Sequence, residues 1–226
     1  MTEVGAAAPG RGRPAGAQVG LVLAAVALAG IGAGALVRVL HERGATTLVK
    51  PALPEFHGQA SWAPGARPAP PFALRDQHGA SISLAGLRGK PVLLVFLDSQ
   101  CTTACPIVGR ELGSIMRRLP AARRPVVLVV SVDPRGDTPG SISHALAKWK
   151  LSGPWQLHWL NAPHRAQLAA VWKRYGVEVE PTTNDIVHSL ALYLIDRRGS
   201  ERTAYLFPFL QSFVQSDLAR LARDPA

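Results

Sequence analysis

The sequence predicts an α/β sandwich with a mixed central sheet, preceded by one N-terminal transmembrane helix. Two short, near-continuous apolar runs, Pro91–Asp98 and Val126–Asp133, have the Val- and Leu-rich texture of strands buried on both faces. Stretches with helical spacing lie between and after them. Residues 15–37 carry no charge, and Gln18 is the one clearly polar side chain there.

That uncharged stretch, as a helix, measures about 34 Å at ~1.5 Å per residue, enough to cross a hydrocarbon core of ~30 Å. Residues 1–14 read as a tail and 15–40 as the anchor. Arg11 and Arg13 precede the run, and Arg38 and Arg43 follow it. The positive-inside rule therefore leaves its orientation open. A cleaved signal peptide ending near Ala33-Gly34-Ala35 competes, but the run is long for a signal peptide's apolar region. No cysteine lies here to accept a lipid. Pro51 to Pro71 holds six prolines, so 41–71 reads as a Pro-rich, semi-rigid linker and 72–226 as the folded domain.

Within that domain, Ile107, Leu112, Ile115, Met116 and Leu119 recur at helical spacing, and Pro120 closes the segment. A second helix is expected over Ser141–Lys150 and a short strand over Trp155–Leu160. Pro163 opens a helix that runs through Tyr175 and ends at Gly176. Val187–Ile195 reads as a strand, Asp196–Gly199 as a turn and Ala204–Phe207 as the hairpin partner. Gln211–Arg223 reads as a closing amphipathic helix. Parallel-type and hairpin-type connections in one chain imply the mixed sheet.

Composition narrows the function. The 226 residues include Lys+Arg 25 and Asp+Glu 15, for a formal charge of +10, and +3 of that lies in residues 1–50. With 47% hydrophobic and 18% charged residues the chain is not a disordered polyelectrolyte. The arginines are dispersed as pairs (Arg117-Arg118, Arg123-Arg124, Arg197-Arg198) rather than gathered in a run interleaved with aromatics, so nucleic acid is not the expected partner. A solvated basic surface near anionic headgroups is. Two cysteines exclude a disulfide scaffold and a four-cysteine metal site.

Cys101 and Cys105 follow the first long strand, where a helix begins. At i and i+4 on a helical turn, Cβ atoms lie ~5–6 Å apart, so both sulfurs can converge on one point. A helix N-terminus favours thiolate over thiol, and two thiolates suit Cu(I), or zinc with further ligands. The same pair can close a disulfide, but so short a loop makes a purely stabilising disulfide a weak reading. The pair sits at the sheet's carboxyl edge, where α/β proteins place ligands. A third donor is then needed, and imidazole suits copper. Of the seven histidines, His41 and His57 fall in the anchor and linker, His78 in a turn, His144 and His164 on polar helix faces, and His158 inside a strand. His188 differs in opening a strand after a loop that contains Pro181, Asn184 and Asp185.

These residues, in order, resemble the Sco/SenC family of copper chaperones. The resemblance rests on Phe72-Ala-Leu-Arg-Asp76-Gln-His-Gly79, on Leu87-Arg-Gly89-Lys90-Pro91, on Cys101-x-x-x-Cys105-Pro106, on Ser131-Val132-Asp133-Pro134-Arg135-Gly136-Asp137-Thr138-Pro139, and on His188-Ser189 ahead of Tyr193-Leu194-Ile195-Asp196 and Gly199. It spans roughly residues 72–200. It implies a thioredoxin-like domain, copper as Cu(I) or Cu(II), and Cys101, Cys105 and His188 as its ligands. Asp133 and Asp137 match the family's acidic pair, though their sequence context reads first as a turn and a helix start. Thr102 and Thr103 stand where the family commonly has proline and an acidic residue. Asp98 would oppose thiolate formation if it faced the sulfurs.

The resemblance further implies a single-pass protein of the cell membrane with its soluble domain on the periplasmic side. Its client would be cytochrome c oxidase subunit II, at the binuclear copper centre. A thioredoxin-like reductant would keep Cys101 and Cys105 from closing a disulfide. The protein is then not an enzyme but a metallochaperone. The rival is an extracytoplasmic thiol–disulfide oxidoreductase or thiol peroxidase that uses the same two cysteines.

Overall fold

The computed structural model describes residues 55–183 and 185–224, together with Arg38. The N-terminal tail and the expected anchor therefore lie outside the described residues, Arg38 apart. Among the described residues no helix is long and apolar enough to cross a membrane.

The elements in chain order are β1 (Ala60–Ser61), β2 (Ala73–Arg75), β3 (Ser81–Ser83), β4 (Val92–Leu97), α1 (Cys105–Arg118), β5 (Val126–Ser131), α2 (Pro139–Lys148), β6 (Leu157–Leu160), α3 (Arg165–Arg174), β7 (Val179–Pro181), β8 (Ile186–His188), β9 (Ala191–Ile195), β10 (Glu201–Leu206) and α4 (Gln211–Leu221). Six strands form one sheet in the order β1-β10-β9-β4-β5-β6. β4, β5 and β6 run parallel, while β9 joins β4 antiparallel and carries the β10–β1 edge. The sheet is mixed, as the alternation of elements predicts.

Strand period two sorts the core. Leu93, Val95 and Leu97 point to one face and pack with Val108, Leu112 and Met116 of α1, Ile142 of α2 and Val214 and Leu218 of α4. Leu94 and Phe96 point to the other face, with Leu168 and Trp172 of α3 and with Phe72 and Leu74 of the β2–β3 ribbon. Glycines let α1 come close. A Cβ on Gly113 would lie 2.2 Å from the Lys150 carbonyl oxygen, and one on Gly109 would lie 2.6 Å from the Trp149 ring.

Several expectations need correction. The linker does not extend to residue 71. Phe56 is 1% exposed within the core, and Ala60 and Ser61 pair with Ala204 and Thr203. The prolines at both ends of 51–71 hid a proline-free stretch, 55–63, that supplies an aromatic anchor and an edge strand. The single strand expected over Val187–Ile195 breaks after His188, so that β8 pairs with β7 in a separate ribbon and β9 enters the main sheet. β10 starts at Glu201, before the apolar pattern does, because Glu201, Arg202 and Thr203 are buried and internally paired. α2 begins at Pro139, capped reciprocally by Thr138 and Ser141. Three-residue strands such as β2, β3 and β7 are too short to show a period.

If residue 56 belongs to the folded unit, Phe56→Ala should lower unfolding free energy by about 3–5 kcal/mol. Urea denaturation measures it, and a change below about 0.5 kcal/mol would return this stretch to the linker.

Candidate metal centre

β4 delivers the chain to the carboxyl edge of the sheet at Leu97, and α1 takes it up at Cys105. The intervening loop is fastened from below. The Asp137 carboxylate accepts the Ser99 N–H at 2.8 Å and the Trp159 indole N–H at 2.9 Å. Asp98 accepts the Gln100 N–H at 2.7 Å through its side chain and the Cys101 N–H at 3.3 Å through its carbonyl. Cys101 is thereby held half-exposed above the first turn of α1, and the Cys105 N–H donates to its sulfur at 3.4 Å. Thr103 Oγ1 lies 3.6 Å from the same sulfur. Cys105 itself is buried, and both cysteines are free thiols.

The two sulfurs are not electrostatic twins. Hydrogen bonding from the Cys105 thiol, with further bonds from Thr103 and main-chain amides, outweighs burial and lowers Cys101 to about 5. Cys105 is pushed up, because ionising it would break that bond and strand a charge in the interior. The expectation of two low-pKa thiolates is corrected here. The pair rests as one thiolate and one thiol. Burial also raises Asp98 to about 6, with repulsion from Asp137, Asp133 and Cys101 adding. Asp98 therefore opposes charge on the sulfurs, as expected, but the Cys105 hydrogen bond dominates at Cys101.

His188 arrives from the other side, at the end of β8 and opposite Val179 of β7. Its Nδ1 lies 3.2 Å from the Ser189 carbonyl. A carbonyl only accepts, so Nδ1 carries the proton and Nε2 keeps its lone pair. Nε2 lies 3.5 Å from Cys105 Sγ. Burial lowers the imidazole pKa, which keeps the ring neutral at physiological pH. Cys101, Cys105, His188, Asp185, Val187 and Leu190 line a cavity of about 170 Å³.

Among the described residues no three His, Cys, Asp or Glu side chains already form a closed metal cage. The trio instead forms a string, with Cys105 in contact with Cys101 at one end and His188 at the other. The donor chemistry fits a soft ion all the same. Bonds of about 2.3 Å to sulfur and about 2.0 Å to imidazole nitrogen, meeting near the tetrahedral angle, set the two donors about 3.5 Å apart. The Cys105–His188 spacing already has that value. Closing the cage requires Cys105 to give up its proton and the Cys101 sulfur to turn inward.

Asp133 and Asp137 lie beneath the site. Asp137 fastens the thiol loop, and burial raises its pKa; Thr138, one residue later, caps α2. Asp133 accepts the Arg135 N–H at 3.2 Å in a turn closed tightly over Gly136. His57 pairs with Asp217 at 2.6 Å and His158 with Asp76 at 2.9 Å. Sequence reasoning missed Thr103 as a partner of the Cys101 sulfur, the Ser189 carbonyl that sets the tautomer, and Trp159 beneath the loop. A threonine beside the cysteine was a signal for the first; main-chain carbonyls leave none.

A family model described as SCO1/SenC matches residues 62–223. A SCO1 protein homologue of Bacillus subtilis (strain 168) is 26% identical over 146 residues, covering 60% of this chain and 76% of its own. The structure of Bradyrhizobium japonicum ScoI with copper bound is similar, with 28% identity, 68% of this chain and 98% of that one covered, and a TM-score of 0.56. BsSco, described as a member of the Sco family of cytochrome c oxidase assembly proteins with a disulfide switch, superposes with a TM-score of 0.62 at 21% identity, covering 74% and 100%. The mixed α/β architecture is the thioredoxin-like fold of these structures.

The asymmetry of the thiols is directly measurable. Iodoacetamide should label Cys101 with a half-maximal rate near pH 5 and leave Cys105 unmodified in the folded protein. Cys105→Ala removes the main cause of the shift and should move that midpoint upward by more than one pH unit. An unchanged midpoint would assign the shift elsewhere.

Proposed function

The chain belongs to the SCO1/SenC family, and from that premise we propose that it is a membrane-anchored metallochaperone. It binds one copper ion through Cys101, Cys105 and His188 and delivers it to subunit II of cytochrome c oxidase. The observation that carries this reading is the placement of a neutral imidazole nitrogen 3.5 Å from a sulfur 83 residues away. Two soft sulfurs with an imidazole are a donor set for copper. The copper-bound relative, at 28% identity, supports the choice of metal. The assembly role named for BsSco supports the choice of client.

Each residue then has a task. The Cys101 thiolate is the open, charged first contact for an incoming ion. Cys105 gives up its proton as it binds, and His188 closes the set through Nε2 while Ser189 holds Nδ1. When Cys101 and Cys105 are oxidised to a disulfide neither can bind. A thioredoxin-like dithiol restores them, becoming a disulfide itself while two electrons pass to the pair, one proton ending on Cys105 and the other going to solvent. The expected periplasmic placement makes that reductant necessary.

A second reading is favoured by one observation: an accessible low-pKa thiol backed by a protonated partner is also the resting state of a thiol–disulfide oxidoreductase. His188 separates the two. In anaerobic titrations of the reduced protein, wild type should bind Cu(I) 1:1, and His188→Ala should lose affinity by about tenfold or more. Reduction of a model disulfide should survive that substitution. An unaffected copper affinity would favour the oxidoreductase.

The proton count gives a further check. At neutral pH Cys101 is ionised and His188 neutral, so Cys105 releases the one proton displaced. Cu(I) affinity should fall about tenfold per pH unit as the pH drops from 7, and more steeply toward pH 5, where Cys101 also takes up a proton. A flat profile would rule out this ligand set.

A further inference from the structure

The three arginine pairs that the sequence scatters meet at one end of the fold. β4 and β5 begin there, β9 ends there, and α1 returns there, so their tips share the edge opposite the thiols. Those tips carry Arg117-Arg118, Arg123-Arg124 and Arg197-Arg198. Hydrogen bonds lace them together. The Arg124 side chain donates to the carbonyls of Met116 at 2.9 Å, Leu119 at 3.1 Å and Pro154 at 3.2 Å. Arg197 donates to Gly89 at 2.9 Å and Ala222 at 3.2 Å, and Arg117 to Lys150 at 2.6 Å.

These donors go to uncharged carbonyls, which hold the side chains in place without cancelling their charge. A cavity of about 350 Å³ opens between Lys90, Arg124 and Arg197, with Trp155 on its wall, and no carboxylate among the described residues lines it. Carboxylates also stand at this end: Glu55 and Asp224 pair with Arg202, Glu55 pairs with Arg220, and Glu55, Asp196 and Asp224 line a neighbouring cavity with Arg198. Asp196 is buried and accepts main-chain N–H groups of its own turn. At the thiol end Asp98, Asp133, Asp137 and Asp185 stand with Arg135 and Arg165, so the excess of cations lies at the end opposite the thiols.

We infer that the basic end is a docking surface for an anionic lipid bilayer, which holds the domain with its thiols facing away from the membrane. A bilayer fits better than a compact anion, because beyond the three cations at the cavity Arg117, Arg118 and Arg123 are exposed elsewhere along the same edge, and each basic group near an anionic leaflet adds to attraction. Chain connectivity points the same way. The described chain begins at this end, where Glu55 lies 3.2 Å from Arg220, and α4 closes beside it at Ala222. The uncharged run that the sequence reads as an anchor is 17 residues upstream, a span of at most about 60 Å. The inference rests on the membrane placement proposed above.

The test uses the full chain in vesicles of phosphatidylcholine, with and without phosphatidylglycerol, read by flotation and by hydrogen exchange. Wild type should float with both. On anionic vesicles alone, amides of 117–124 and 196–199 should exchange about threefold or more slowly, with the 99–104 loop unchanged, and 0.5 M salt should abolish the effect. Lys90→Gln with Arg118→Gln and Arg123→Gln should lose the protection while core amides exchange as in wild type. Floating without lipid-dependent protection, or protection at the thiol end instead, overturns the docking and leaves the anchor intact. Failure to float overturns the membrane placement and the docking with it. Equal protection by a DNA oligonucleotide added to neutral vesicles would show a general polyanion surface and overturn the lipid assignment.

Discussion

The site depends on one proton, the one Cys105 keeps. Its thiol is buried at the first turn of α1, hydrogen-bonded to Cys101 and in contact with His188 Nε2. Remove that proton without supplying a cation, and an uncompensated charge sits in the interior near Asp98. Keep it, and Cys101 can stay ionised at the surface at neutral pH. The resting state is thus charged where a soft cation arrives and neutral where the core requires it. A cation that displaces the proton satisfies both sulfurs and the imidazole together.

The scaffold explains why this proton can be held in place. Parallel β4 and β5 end side by side, and Asp137, just past β5, reaches under the loop that follows β4 to fix Ser99 and Trp159. The thiol loop therefore inherits its position from the two most buried strands of the sheet. The same parallel arrangement sends the end of α1 and the β9–β10 turn to the opposite edge, where the arginine pairs collect. The topology puts the thiols and the arginine-bearing tips at opposite ends of the same strands. The thiol chemistry at one end and the proposed docking at the other rest on the same strand arrangement.

Much of this was legible in the sequence, and the gaps have physical reasons. Val- and Leu-rich β4 and β5 and the spacing of Ile107 to Leu119 declare themselves because burial on defined faces imposes a period. Cys101 and Cys105 are legible because residues at i and i+4 can meet locally. The nearness of His188 was not legible from spacing: it depends on where β8 leaves the main sheet, a tertiary decision made 83 residues downstream. Family resemblance pointed to it; the residues alone did not. Phe56 and β1 were hidden by the prolines around them, and β10 by charged residues whose partners, Arg67, Glu55 and Asp224, are distant in sequence. Composition reports averages, whereas pairing is a property of individual residues.

The way the three proposed copper donors are mounted bears on the proposed transfer. Cys101 and Cys105 ride on the junction of a fully buried strand and a helix whose apolar side is embedded in the core. His188 rides on a two-stranded ribbon of three-residue strands, paired with each other rather than with the main sheet. A two-stranded ribbon is only marginally stable alone, and local opening draws on the least stable elements first. Of the three donors, His188 is the one whose support can yield without disturbing the core. A three-coordinate ion reduced to two rigid sulfurs is exposed to a competing ligand on the side the imidazole leaves. That side is the cavity lined by Val187 and Leu190, at the end of the molecule away from the basic edge. In the proposed site, capture and release are compatible because the sulfurs and the imidazole belong to different structural units.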